Sequence, residues 1–183
     1  EPTPGAASEI QRAPDDDPPV DSVGVAAVPY VEAAFRVPAG RAITDLPPHK
    51  LAEVTSHIVK IEGPVHEDEI ARRVASLCGQ SRVGSRIAEA VRSALRVNAA
   101  DGNAVEADGF WSPAGQQQVP IRDRSQVASD SLRRADMLPP AEVQAAVLAL
   151  VTVNMGVDRT AAIVAIARLL GFQSTGARLR DAI

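Results

Sequence analysis

RVGSRIAEAVRSALRVNAADGNAVEADGFWSP, residues 82–113, decides the reading of this chain. At about 100° per residue, a helix from Val83 to Leu95 gathers Val83, Ile87, Ala90, Val91, Ala94 and Leu95 on one arc. Arg82, Arg86, Arg92 and Arg96 fall within about 120° on the opposite side, in company with Ser85, Ser93 and Glu89. Behind the helix, Asp101, Gly102 and Asn103 give a turn signal between Val97 and the Ala104–Ala107 run, which reads as a β-hairpin closed by Gly109, Phe110 and Trp111.

Two helices precede this stretch. Pro47 and Pro48 lead into a segment with Leu51, Val54, Ile58 and Ile61 on one stripe, ended by Gly63 and Pro64. In the next segment Glu67, Asp68 and Glu69 crowd the first turn, where the helix dipole favours acids, and Ile70, Val74 and Leu77 form the apolar face as far as Gly79. The expected fold class is therefore mainly α with a small β-hairpin: a winged helix-turn-helix over residues 28–124, the third helix being the recognition helix. The apolar stretch Val28–Arg36, with Tyr30 and Phe35, is expected to pack on that domain.

Beyond the hairpin, residues 125–138 read as a polar bridge, preceded by a short strand near Val119–Arg122. Residues 139–183 read as a C-terminal helical segment. Its first helix opens at Pro139 and Pro140 and ends near Met155, its second starts at Asp158 or Thr160 and ends at Gly171, and a short one from Ser174 to Ile183 is capped by Ser174 or Thr175. At the other end, residues 1–27 combine five prolines with the Asp15–Asp17 run and few large apolar side chains, the composition of a disordered acidic linker.

Composition excludes whole classes. With 45% hydrophobic and 23% charged residues among 183, the chain is neither a collagen nor a coiled-coil rod, and its apolar runs are too short for a membrane span, so no membrane is expected. The single Cys78 can form no internal disulfide and no multi-thiolate metal site, which suits a cytoplasmic protein. The first residue is Glu1, as expected of a piece of a longer polypeptide. Net charge is −4, but residues 1–25 hold six acids against Arg12, so the remainder is near neutral. Seventeen of the 19 basic residues are arginine, a bias that suits phosphate recognition and also follows from a GC-rich genome.

The segments HIVKIEGPVHEDEIARRVASLCG (57–79), RVGSRIAEAVRSAL (82–95), DGFWSP (108–113) and ARLLGFQSTGARLRDAI (167–183) resemble a bacterial family catalogued as domain of unknown function 3320. That resemblance implies a position at the C-terminal end of large proteins similar to superfamily one DNA helicases, often behind a restriction-type endonuclease domain. It supplies no catalytic or binding residues to carry over.

No chemistry of catalysis is legible. Neither Lys50 nor Lys60 follows a phosphate-binding loop, and the Asp15–Asp17 run has no lysine beside it. His49, His57 and His66 are eight and nine residues apart, the wrong spacing for ligands on adjacent helical turns. Cys78 reads as a small buried thiol, and Phe110 and Trp111 as core residues. No catalytic residue, metal or cofactor is expected. The expected function is a non-catalytic accessory module that contacts duplex or forked DNA without sequence preference, working with helicase and nuclease domains of the same parent chain. Arg82, Ser85, Arg86, Arg92, Arg96, Arg122 and Arg124 are the candidate DNA-binding residues. The alternative is a docking or regulatory module that packs on the motor or nuclease domain through the apolar C-terminal helices.

Overall fold

The structure is a computed structural model and describes residues 24–34, 47–77 and 79–183. Most of the expected linker and Cys78 lie outside the described residues. The described chain is mainly helical: β1 (Val28–Pro29), α1 (Pro48–Glu62), β2 (Val65–His66), α2 (Glu67–Leu77), α3 (Ser85–Ala100), β3 (Ala104–Ala107), β4 (Phe110–Pro113), β5 (Arg122–Asp123), α4 (Pro140–Asn154), α5 (Arg159–Leu169) and α6 (Ala177–Ala182). Two short 3-10 turns, Asp130–Arg133 and Ala135–Met137, occupy the stretch read as a bridge.

Each helix forms where its apolar spacing and breakers direct. Pro48 starts α1 at a position whose N–H has no helical partner anyway. The buried stripe of α1 is Leu51, Ala52, Thr55, Ile58, Val59 and Glu62, while Ile61, expected inside, is 39% exposed. The stripe is rotated because Thr55 and Glu62 find polar partners in the interior. Thr55 donates to Leu51 O (3.0 Å) and accepts from Asn98 Nδ2 (2.9 Å), which ties α1 to α3. From α3, Ile87, Val91, Ala94 and Leu95 join Ile58, Val59, Ile70 and Val74 in one apolar core.

α3 continues five residues past its expected end at Leu95, because Asn98 is buried and bonded, so Val97 lies in the helix. Asp101–Asn103 therefore ends a helix and is not the tip of the hairpin, a correction to the sequence reading. The hairpin turns at the second Asp-Gly pair: Asp108 (φ 53) and Gly109 (φ 81) both adopt the left-handed backbone that a two-residue primed turn requires. β3 and β4 pair antiparallel with Ala107 opposite Phe110, and β2 adds to the other edge of β4 with Val65 opposite Trp111. Strand order is β2-β4-β3. Val65, Ala104 and Trp111 face the helical core, and Phe110 is buried as well, packed edge-on to His66 with ring centroids 5.1 Å apart.

A second apolar core holds α4, α5 and α6 together through Val143, Ala146, Leu150, Ile166, Leu170 and Leu179. Asp158 caps α5, its carboxylate accepting from the N–H groups of Thr160 (2.8 Å) and Ala161 (3.2 Å). α6 begins after Gly176 with no side-chain cap, so neither Ser174 nor Thr175 has the capping role expected of it. Gly171 (φ +88) follows α5 where a Cβ would collide with Asp123 and with the backbone of Arg124 and Ser125, so only glycine fits. Among the described residues no single helix is long and apolar enough to cross a membrane, and α4 and α5 are bent by 119° at their junction.

The two cores meet across a polar seam. Glu142, on the first turn of α4 and fully buried, accepts from Arg122 Nη2 (2.6 Å), Arg124 Nη2 (2.7 Å) and Arg122 N–H (2.8 Å). Arg122 also donates to the carbonyls of Glu62 and Pro64 at the end of α1. Residues 28–33 run over this seam as a strap. β1 pairs parallel with β5, both guanidiniums lie against the Tyr30 ring (4.8 and 5.2 Å from its centroid), and the Tyr30 hydroxyl donates to Glu62 (3.0 Å). Burial and the nearby Glu62 carboxylate push the Tyr30 phenol well above its usual range. The expected packing of the Val28 stretch is thus seen in Tyr30 and Ala33, both buried; Phe35 and Arg36 lie outside the described residues.

Burial alone would raise the Glu142 pKa, but the hydrogen bonds and charges of Arg124 and Arg122 outweigh it and hold the carboxyl below its ordinary value. Its contribution is complete above the pKa of an unfolded glutamate and is lost as pH falls through the lower folded value. Glu142→Ala should cost about 3–5 kcal/mol, because it leaves two guanidiniums buried without their anion. Urea melts at neutral and acidic pH should show a large wild-type loss on acidification and a smaller one in the variant.

Candidate nucleic-acid interface

The turn that delivers the chain to α3 is built on Gly79. In its left-handed conformation (φ +71), Gly79 donates to Ser76 O (2.9 Å) and Gln80 to Ala75 O (3.0 Å), the paired bonds that close a helix C-terminus. α3 starts two residues later than expected, at Ser85, with Gly84 at its N-cap and no side chain closing the end. Arg82 consequently lies in the turn and not on the helix.

The buried side of α3 is the expected one. Arg82, Ser85, Arg86 and Arg96 are exposed, and none of these three arginines has a hydrogen-bond or ion-pair partner among the described residues. Arg92 differs: its Nε donates to Glu67 (3.0 Å) and its Nη1 to Glu89 (2.8 Å). The Glu67 hydrogen bond and charge, with Glu89 adding to them, hold that guanidinium above its usual pKa, and two carboxylates stand beside it. The hairpin beside α3 presents Glu106 and Asp108 to solvent, and Glu106 also accepts from the Gly109 N–H (2.6 Å).

Arg122 and Arg124 were expected at the interface, and the structure removes them from it. Arg122 is 4% exposed and Arg124 1%, and their donors are directed to Glu142 and to backbone carbonyls, except Arg124 Nε, which is buried without a partner among the described residues. A phosphate could reach them only by opening the seam between the cores. Arg73 lies mostly buried at the edge of a cleft; burial opposes its charge, but the hydrogen bonds and charges of Glu62, Glu32 and Glu69 outweigh it and raise its pKa.

The sequence reading passed over one group. Arg72 and Ser76 of α2, with Gln80 and Ser81 beyond it, share with Arg82 the wall of a cleft of about 680 Å³. The i, i+4, i+8 spacing of Arg72, Ser76 and Gln80 is the signal that could have found it.

Residues 43–89 match the model of a family described as "Protein of unknown function (DUF3320)", about a quarter of the chain. The match covers α1, α2 and the first turn of α3, while the hairpin and residues 167–183, which also suggested the likeness, lie outside it. No curated protein and no solved structure matches.

The division between surface and interior arginines is open to measurement. Arg86→Ala and Arg96→Ala should each change stability by no more than about 0.5 kcal/mol, the usual range for exposed positions. Arg124→Ala should cost about 3 kcal/mol or more, since Glu142 loses two hydrogen bonds without gaining solvent. Chemical denaturation of the three variants checks both values.

Proposed function

We propose that residues 48–113 form a winged helix-turn-helix that contacts DNA phosphates through the α2–α3 turn and the outer face of α3, as a non-catalytic accessory module of a larger helicase or nuclease protein. The element order α1-β2-α2-α3-β3-β4 and the strand order β2-β4-β3 support the fold reading. The observation that carries the functional reading is that Arg82, Arg86 and Arg96 stand exposed and without partners among the described residues, Arg82 and Arg86 beside the unblocked N-terminus of α3 and Arg96 about three turns along the same helix. Free guanidiniums and helix N-terminal N–H groups are the donors that bind phosphate oxygens. Ser85 at the first turn adds a hydroxyl, and Arg92 contributes less because Glu67 and Glu89 hold it. The acidic hairpin tip repels phosphate, so the helix and not the wing sets affinity. The helicase and nuclease context rests on the family likeness.

A second reading has its own observation. The outer face of α4 leaves Leu148 69% and Val151 46% exposed, and Met155 just beyond the helix is 97% exposed, an apolar surface suited to docking on a protein.

Fluorescence anisotropy of the chain with labelled duplex, forked and single-stranded DNA at two salt concentrations separates the readings. The DNA module should bind with a dissociation constant of about 1–100 μM near physiological salt, tightening as salt is lowered. The Arg82→Ala/Arg86→Ala double variant should weaken binding and reduce the log–log salt slope by about 1.8, at about 0.9 for each phosphate no longer neutralised. Unchanged affinity in a variant that melts like the wild type would overturn the assignment. Absence of binding at low salt, with self-association in sedimentation, would favour docking.

A further inference from the structure

The cleft beside the α2–α3 turn is walled by Glu32 of the strap, by Glu69, Arg72 and Ser76 of α2, and by Gln80 and Arg82 of the turn, with Ser81 between them. Its chemistry is lopsided. The carboxylates in its wall are occupied: Glu32 takes Arg73 Nη1 (2.8 Å) and the N–H groups of Ala128 (2.8 Å) and Ser129 (3.1 Å). Glu69 takes Arg73 Nη2 (3.4 Å), Arg72 Nη1 (3.1 Å) and the Ser131 hydroxyl. Two carbonyls at the end of α2, those of Ala75 and Ser76, are closed by Gln80 and Gly79.

The donors are open. The side chains of Ser76, Gln80, Ser81 and Arg82 are exposed and have no partner among the described residues. Arg72 bonds through Nη1, to Glu69 and the Met137 sulfur, and its Nε and Nη2 have no partner among the described residues. A cavity whose carboxylates are taken, and whose guanidinium, hydroxyl and amide donors are not, favours an anionic ligand rich in acceptors. Two guanidiniums with two hydroxyls and an amide suit a tetrahedral oxyanion. No aromatic side chain among the described residues lines the cleft, so nothing in it stacks a nucleobase.

From this we infer that the cleft is a binding site for a phosphomonoester, held by Arg72 and Arg82 with Ser76, Gln80 and Ser81. The inference rests on the proposed DNA contact only for the source of the phosphate: Arg82 belongs to both surfaces, so a strand lying on α3 can place its terminal phosphate in the cleft. A free nucleotide offers the same group, and the two sources are separable by experiment.

Calorimetric titration of the full chain with inorganic phosphate, a nucleoside monophosphate, and a short oligonucleotide with either a 5′-phosphate or a 5′-hydroxyl tests the site. Inorganic phosphate should bind the wild type, and Arg72→Gln and Ser76→Ala/Gln80→Ala should each weaken it about tenfold, the loss expected for a charged hydrogen bond. The second variant alters exposed side chains only, so it keeps the test valid if the first is destabilised. Arg86→Ala/Arg96→Ala should leave phosphate binding unchanged. A wild-type preference for the 5′-phosphate end that disappears in the cleft variants assigns a strand end, and binding of the monophosphate without that preference assigns a free nucleotide. No phosphate binding by the wild type, or equal binding by the cleft variants, overturns the site. Failure of the α3 reading would appear separately, as duplex affinity indifferent to Arg86 and Arg96.

Discussion

Removing the Glu142 carboxylate from water costs several kcal/mol, and the rest of the molecule is arranged around recovering that cost. Arg122 and Arg124 supply two charges and most of the hydrogen bonds, but they are buried too and need acceptors of their own. Arg122 finds them at the carbonyl end of α1, and Tyr30 covers both guanidiniums. The ion pair thus joins an α4 carboxylate to an α1 terminus through β5. Apolar contact alone would let the helical units slide over one another, whereas these bonds accept a single relative placement.

The same division of labour governs the arginines. Those facing carboxylates inside the fold, Arg73, Arg122 and Arg124, fix its geometry, and those left facing solvent, Arg82, Arg86 and Arg96, are available for a partner. Sequence position does not separate the groups. Arg72 and Arg73 are neighbours and both line the cleft, yet Arg72 pairs with Glu69 alone while Arg73 is the hub for Glu32, Glu62 and Glu69.

Periodicity made the helices legible. The apolar faces of α2 and α3, the proline that starts α1 and the aspartate that caps α5 can all be read from residue order, because each is a local property. The buried polar residues were not legible. Glu62, Glu69 and Glu142 look like solvent-facing acids until residues far away in sequence come to meet them, and Arg122 and Arg124 were assigned to the surface for that reason. The hairpin shows a related failure. Two Asp-Gly pairs stand seven residues apart, and what selects the second as the turn is Asn98, whose bonds to Ala52 and Thr55 carry α3 right up to the first, which then ends the helix. A tertiary contact decided between equivalent local signals.

The strap also sets an order of assembly. Ala128 donates to Glu32 across 96 residues, and Val28 and Pro29 pair with Arg122 and Asp123 over a similar span, so these contacts carry the largest loop-closure entropy described. Contacts among α1, α2 and α3 close much shorter loops and form first. Glu62 and Arg73 lie 11 residues apart and Arg122 and Glu142 only 20, so the strap closes the longest loops of the seam. The strap therefore ties the start of the described chain to β5 at the highest entropic cost of any contact in the seam.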